Sequence, residues 1–553
     1  MRQGEISKGM TCEMGYKMLY TAKRILSVLL CAAVCCGILM TGCGSEDDGK
    51  NYAFSYSLTA DPKNLDPQMA SDNNSLMVIK NMFEGLMRIG PDGDLIYGVA
   101  TSYTSNEDDT EFTFYLRKDA AWSDGTPVTA YDFAFAWKRA LDPATGSGTC
   151  ATLYCIKNAT AINQGKMDKE QLGVTIIDAY TLKVSLEYSY AEFPLQTTLA
   201  QFMPCNQVFF ESTAGHYGLN VDYLIANGPF CFDKWNHDNY VRLKRNEKYK
   251  GENEVCPRIL YLGIRAADTD YFNLLEETVE AAKIESHNVK KLETSDYKTY
   301  TYTDKTWGLL FNTEARGFTN VNIRQAFATS IESSVYEPYL KDNTEIAYDI
   351  VPPATKLNGT IYREIAGSGF RIAANPAGAH DLLVKGLREI EYTSMPDVTI
   401  LCLDDEETIK MVQYMLQSWQ QYLRIYVNLV PMDEDDLKEA VRLGEYQIAV
   451  YQLSPTKDGP LACLQEFASS TYYNPANLNS AAYDSYINAA SAKTNTEDIL
   501  SYLVAAERYL NDYAIFYPLY YETTYYATWD NVEGIYFSPF DGTADFTCAK
   551  CYE

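Results

Sequence analysis

Residues 397–429 constrain the fold more tightly than any other stretch. "DVTILCL" (397–403) is a short apolar strand, and Ile409, Val412, Leu416, Trp419 and Leu423 then recur on one helical face. Ile425, Val427 and Leu429 alternate as a second strand. Strand, helix and strand in this order form a βαβ unit, which requires a parallel pair joined by a right-handed crossover. Residues 112–143 build a related unit. Phe112, Phe114 and Leu116 alternate, and Ser123-Asp124-Gly125 turns the chain. Thr129 caps a helix with Asp132 in its first turn, Phe133, Trp137 and Leu141 line one face, and Asp142-Pro143 ends it. Ile499, Leu503, Ala506 and Leu510 predict another amphipathic helix before the Tyr-rich strand "IFYPLYYETTYYATW" (515–529). Helices and strands alternate through most of the 553 residues, with no internal repeat, so the class is α/β with some antiparallel sheet and room for two or three domains.

The N terminus sets the compartment. Lys23-Arg24 precede sixteen apolar residues, "ILSVLLCAAVCCGILM", which is short for a spanning helix and fits a signal peptide. The run meets Thr41-Gly42-Cys43, which resembles a bacterial lipobox. That resemblance makes residues 1–42 a leader, Cys43 the lipidated first residue and 43–52 a polar tether. Residues 1–17 carry no targeting logic, and Met18 is an alternative start. Anchored acyl chains would place the protein on the outer face of the bacterial cytoplasmic membrane, at the cell surface or in the periplasm.

Charge and motifs exclude several functions. The chain has 46 basic and 74 acidic residues and a formal charge of -28, which argues against nucleic acid as a partner. The mature chain, losing more basic than acidic side chains with its leader, is more acidic still. No nucleophile elbow, HExxH, P-loop or dinucleotide fingerprint occurs. His216, His237, His287 and His380 are scattered, and the pairs Asp404-Asp405 and Asp435-Asp436 read as solvated faces. Nine cysteines remain after the leader and Cys43, an odd number that forbids complete pairing within one chain. Cys548 and Cys551 read as a terminal disulfide or two free thiols in preference to a zinc site. A binding protein is expected rather than an enzyme, with no catalytic residue, metal or cofactor.

Longer stretches point to a family. "LRKDAAWSDGTPVTAYDFAFAWKRALDP" (116–143), "NLDP" (64–67), "NMFEGLMRIGPDGDL" (81–95), "GVATSY" (98–103), "LGVTIIDAYTLKVSL" (172–186), "ANGPF" (226–230), "LLFNTEARGFTNVNIRQAF" (309–327), "MLQSWQQYLRIYVNL" (415–429) and "AAYDSYINAASAKTNTEDILSYLVAAERYL" (481–510) resemble the extracellular solute-binding proteins of family 5, the oligopeptide and dipeptide receptors of ABC importers. The resemblance implies a type II (cluster C) periplasmic-binding-protein-like fold of two hinged lobes with an extra small domain. Domain I would take residues 53–87, 226–305 and 526–553, domain II residues 88–225, and domain III residues 306–525. It implies a monomer that binds a peptide between domains I and III and delivers it to the transmembrane subunits of a permease.

The resemblance also proposes a site and exposes departures from it. Trp307 at the hinge, Tyr451 on a loop and Tyr154 in domain II are the aromatic candidates for the cleft, and Ser71 and Asp72 are candidates from domain I. Peptide receptors of the family carry a W-x-x-D-Y-like loop whose Asp holds the ligand's ammonium. The matching "YQLSPTKDGPLACL" (451–464) has Tyr451 at the Trp position and Ser454 at the Asp position, with Asp458 four residues further on. Deleting one partner of a desolvated charge pair costs about 2–5 kcal/mol, so a free peptide amine would bind at least tens-fold worse unless Asp458 replaces the missing acid. Otherwise the same fold serves a non-peptide solute such as a chelate, haem or sugar, a signalling peptide, or a surface receptor that does not transport. Arg424, where the family usually has Gly, suggests a different helix C-cap.

Overall fold

In a computed structural model the parallel unit forms as its pattern requires. The structure describes residues 52–453, 459–469, 471, 474–493 and 495–552. Strand Val398–Leu403 pairs in parallel with Val427–Met432. The helix between them, Glu406–Ser418, buries Met411, Val412 and Met415 and runs on through a wider turn, Trp419–Leu423. Trp419 is fully buried and its indole N–H donates to the Phe327 carbonyl at 2.9 Å. The end of this helix differs from expectation. Arg424 takes the left-handed conformation itself, at φ 60°, so the C-cap geometry is the one glycine serves elsewhere, carried by an exposed arginine.

These two strands belong to a seven-stranded sheet. Its order is Ala281–Ile284, Phe516–Trp529, Tyr297–Phe311, Ile448–Leu453, Val398–Leu403 and Val427–Met432, with Thr344–Ile346 also pairing with Phe516–Trp529. The pairing of Tyr297–Phe311 with Phe516–Trp529 is antiparallel along nearly the whole of both strands. Two further sheets lie apart from it. Ala53–Leu58, Ile259–Ile264, Tyr240–Arg245 and Phe230–Asn236 make a mixed sheet with one parallel pair. Ala100–Ser105, Glu111–Leu116, Thr181–Ser185 and Val174–Asp178 make an antiparallel one.

The unit at 112–143 supports this last sheet. Phe112, Phe114 and Leu116 face inward, and helix Ala130–Leu141 buries Phe133, Trp137 and Leu141. Asp132 accepts from the Thr129 backbone N–H at 2.7 Å and from its hydroxyl at 2.9 Å, which fixes the first turn. Burial pushes the Asp132 carboxyl up to about 6 despite those bonds. The same helix explains the "NLDP" stretch. Arg139 makes two bonds to Asp66, at 2.7 and 2.6 Å, with both side chains buried. That ion pair ties the antiparallel sheet's helix to the loop after Ala53–Leu58.

Cys548 and Cys551 are two thiols and form no terminal disulfide. Among the described residues no helix is long and apolar enough to cross a membrane. Cys43, Ser454 and Asp458 lie outside the described residues.

Two measurements check these assignments. Removing Arg139 leaves Asp66 buried and unpaired, so Arg139→Ala is expected to lower unfolding free energy by about 3–5 kcal/mol, read from the urea midpoint. Arg424→Gly relieves a left-handed non-glycine residue that is exposed, and should raise stability by about 0.5–1 kcal/mol in the same assay.

Candidate functional site

Two cavities open where the segments around the antiparallel sheet meet the helices that follow strand Ile448–Leu453. The larger, of about 560 Å³, is walled on one side by Tyr154, Tyr188 and Tyr190 and on the other by Tyr451, Gln465 and Glu466. The second, of about 500 Å³, has a charged rim that includes Lys80, Asp94, Glu192, Lys356 and Asp541. Between these regions the walls touch, since the Ala191 N–H donates to the Ser491 carbonyl at 3.3 Å. The larger cavity therefore lies between the segments expected as domains II and III, not between I and III. The reason is chain path: residues around 148–160 and 187–196 leave the antiparallel sheet and reach the helices of 459–491 directly.

Of the expected site residues, Tyr451 and Tyr154 come together in this cavity. Tyr154 donates its hydroxyl to Asn163 Oδ1 at 2.7 Å, which fixes its ring at the wall. Tyr451 sits on strand Ile448–Leu453 opposite Gly308, and its phenol is pushed above the ordinary range by burial and by the nearby Glu466. Trp307 is not brought to them. It pairs in register with Gln452, one position from Tyr451, and successive residues of a strand face opposite sides of the sheet. Trp307 thus joins the apolar cluster on the other face, stacked on Tyr520 with ring centroids 6.0 Å apart. Its indole N–H donates to Glu522 at 2.7 Å, and Glu522 in turn pairs with Lys305 at 2.8 Å. Burial alone would raise the Glu522 carboxyl, but Lys305 and the indole hold it below its ordinary value.

The two domain I candidates lie elsewhere. Asp72 is the N-cap of helix Asn73–Met82, accepting from the Ser75 N–H at 2.9 Å and the Ser75 hydroxyl at 2.6 Å. Ser71 is exposed beside it, and neither residue lines either cavity.

Sequence reasoning missed Tyr188, Tyr190 and Glu466. Tyr190 is buried and donates its hydroxyl to Gln196 at 3.2 Å. Glu466 follows the short helix Pro460–Leu464 and stands between the buried Leu464 and Phe467. A lone acid inside an apolar run such as "LACLQEFA" is the signal that could have found it. Burial pushes its carboxyl up to about 8. Lys438 and Arg442 also line the cavity, but Lys438 bonds Glu434 at 2.6 Å and Arg442 bonds Glu439, each on its own helix. The site has an apolar, tyrosine-rich wall and one desolvated acid, a set of groups suited to holding a small polar molecule rather than to bond cleavage.

Comparison with known proteins shows the family and the fold. The chain is 27% identical over 478 residues to the dipeptide-binding protein DppE of Bacillus subtilis, covering 86% of this chain and 88% of that one. It is 26% identical over 526 residues to the oligopeptide-binding protein OppA of the same organism, covering 93% and 96%. The substrate-binding domain of an oligopeptide ABC transporter from Bacillus anthracis superposes with a TM-score of 0.71 at 25% identity, covering 91% of this chain and 99% of that one. The fold is that of the type II periplasmic binding proteins. The family described as bacterial extracellular solute-binding proteins, family 5 Middle, matches residues 94–475, and the chain belongs to that family.

Proposed function

We propose that this protein captures short peptides outside the cell, anchored to the membrane through Cys43, and hands them to the transmembrane subunits of an ABC importer. The observation that carries the reading is the tyrosine-walled cavity of about 560 Å³ in a chain of the solute-binding family. That volume suits a small molecule or short peptide and excludes a folded partner. Relatives of similar length are named for dipeptides and oligopeptides. Tyrosine offers large rigid contact with a polar tip, which tolerates varied side chains while main-chain groups are held by hydrogen bonds.

Capture works by closure in this reading. The strands Tyr297–Phe311 and Phe516–Trp529 serve as the hinge between a lobe of domains I and II and a lobe of domain III. Ligand contacts made on both lobes exist only when they are closed, so binding stabilises the closed state. The protein carries out no reaction on its ligand, acts as a monomer and needs no cofactor.

Two outcomes are expected. Native mass spectrometry of the chain from residue 44 onward, purified from rich medium, should release a spread of masses that fragment as peptides; a single non-peptide mass, or an empty protein that also ignores peptide mixtures in calorimetry, would contradict the peptide assignment. Cys43→Ser should move the protein from the membrane fraction to the soluble fraction, read by immunoblot.

A further inference from the structure

Glu466 stands in the wall of the larger cavity with no cation paired to it among the described residues, and among them it accepts no hydrogen bond. Three buried carboxylates of this protein meet a cation: Asp66 has Arg139, Asp545 has Arg88, and Glu507 has Arg363. Glu466 has no such partner at the surface of the cavity, and two cations that line the same cavity are held by Glu434 and Glu439 instead. A desolvated carboxylate is costly unless a positive group meets it. Tyr154, Tyr188, Tyr190 and Tyr451 line the same cavity, and aromatic rings attract a cation that reaches their faces.

We propose that Glu466 is the anionic anchor of the cavity and receives an alkylammonium group of the bound peptide, releasing its own proton to solvent as the ligand docks. The inference rests on the peptide reading above and assigns the charge chemistry of its site. It also supplies an acid where Ser454 stands at the family's anchoring position.

Proton release follows from the groups that face Glu466. Tyr451 on its strand, Cys463 on its own turn, Tyr483 on helix Ala481–Ser491, and Tyr188 and Tyr190 on the opposite wall are all pushed above their ordinary ranges by burial, so they stay neutral at neutral pH. Lys438 and Arg442 keep their own acids, Glu187 accepts the Asn158 N–H at 3.1 Å, and Tyr154 is bonded to Asn163. With its carboxyl pushed up to about 8 by burial, Glu466 is protonated in the empty cavity at pH 7 and ionised when an ammonium docks. The sign for the empty protein follows. An acid whose folded pKa is raised stabilises the fold below its unfolded pKa, and that contribution is lost as pH rises through the folded value. Asp132, Asp270, Glu280 and Asp304, pushed up to about 6, and Glu507, also raised by burial, contribute as well, so the difference between the wild type and Glu466→Gln is what separates Glu466.

Titration calorimetry on the full-length protein in detergent, at pH 7 in two buffers of different ionisation enthalpy, tests this with three probes. These are tetra-alanine, its N-acetyl form, and the N-acetyl form with lysine at the second position. Tetra-alanine is expected to bind at least tenfold tighter than its acetylated form and to release close to one proton. Glu466→Gln should abolish both the preference and the proton release. Recovery of tight binding by the lysine probe supports an anchor for any ammonium, and no recovery supports one for the N terminus. The melting temperature of the empty protein should fall between pH 6 and 8, and Glu466→Gln should lessen that fall. If Glu466→Gln folds poorly, the wild-type proton count and Glu466→Asp, which keeps an acid, carry the test. Equal binding of tetra-alanine and its acetylated form, or a preference that survives in Glu466→Gln, overturns the anchor and leaves the peptide reading intact. Failure of the wild type to bind any probe overturns both.

Discussion

The antiparallel pairing of Tyr297–Phe311 with Phe516–Trp529 is the constraint on which the rest of the structure depends. These strands are 15 and 14 residues long, and their two ends serve different neighbours. Near Tyr525–Thr528 the second strand pairs with Ala281–Ile284, and near Trp307 the first pairs with Ile448–Leu453. The register shifts between Thr303 and Lys305 and again between Trp307 and Gly308. Extra residues of this kind bend a strand and increase its twist. Gly308 is required at the second shift, since a Cβ there would stand 2.5 Å from the Phe516 ring and 2.6 Å from the Tyr517 carbonyl. Lys305 and Trp307 both donate to Glu522 across the same short stretch, which ties the two strands together where the ladder is irregular.

Buried ion pairs do for distant segments what this ladder does for the central sheet. Arg139 and Asp66 join residues 73 positions apart, and Arg88 and Asp545 join the short strand Met87–Ile89 to the C-terminal segment. Arg117 reaches Glu84 at 2.7 Å, and Arg88 also donates to the Tyr249 hydroxyl at 2.7 Å. Such pairs add little net stability over well-packed apolar groups, because desolvation offsets their attraction. Their bidentate geometry fixes orientation, and in this chain it fixes how one sheet is set against another. Asp66 in "NLDP" and Glu84 and Arg88 in "NMFEGLMRIG" are therefore holding the scaffold.

Local pattern made much of this legible. The period-2 and period-3.6 repeats located strand Val398–Leu403, the helix Ala130–Leu141 and the strand Phe516–Trp529 within a residue or so of where they form, while the strand expected at 425–429 forms at Val427–Met432. The composition of the site was only half legible. Tyr451 and Tyr154 were found because aromatic residues stood at positions the family resemblance singled out. Trp307 was grouped with them because proximity in the fold was inferred without the register that sends it to the opposite face. Tyr188, Tyr190 and Glu466 come from segments nearly three hundred residues apart, and no local repeat marks where such segments meet. Arg424 shows a related limit. Its identity suggested a different helix end, yet the crossover's need to turn into Val427–Met432 imposed the left-handed residue regardless of side chain.

The charge of the whole molecule and the charge of the cavity work on different scales. A formal charge of -28 spread over the surface raises the local concentration of cations and disfavours anions, but salt screens it within about 8 Å at physiological ionic strength. It cannot select among zwitterionic peptides whose net charge is near zero. Selection must come from inside, where water is excluded and one charge counts for more than many outside. Placing Glu466 against tyrosines, and tying the two neighbouring cations to acids of their own helix, leaves this acid for a cation that the ligand brings. Because that acid is neutral when the cavity is empty, the protein avoids a buried unpaired charge until a ligand supplies its counterpart, and the cost of charging Glu466 becomes part of what a ligand must overcome to bind.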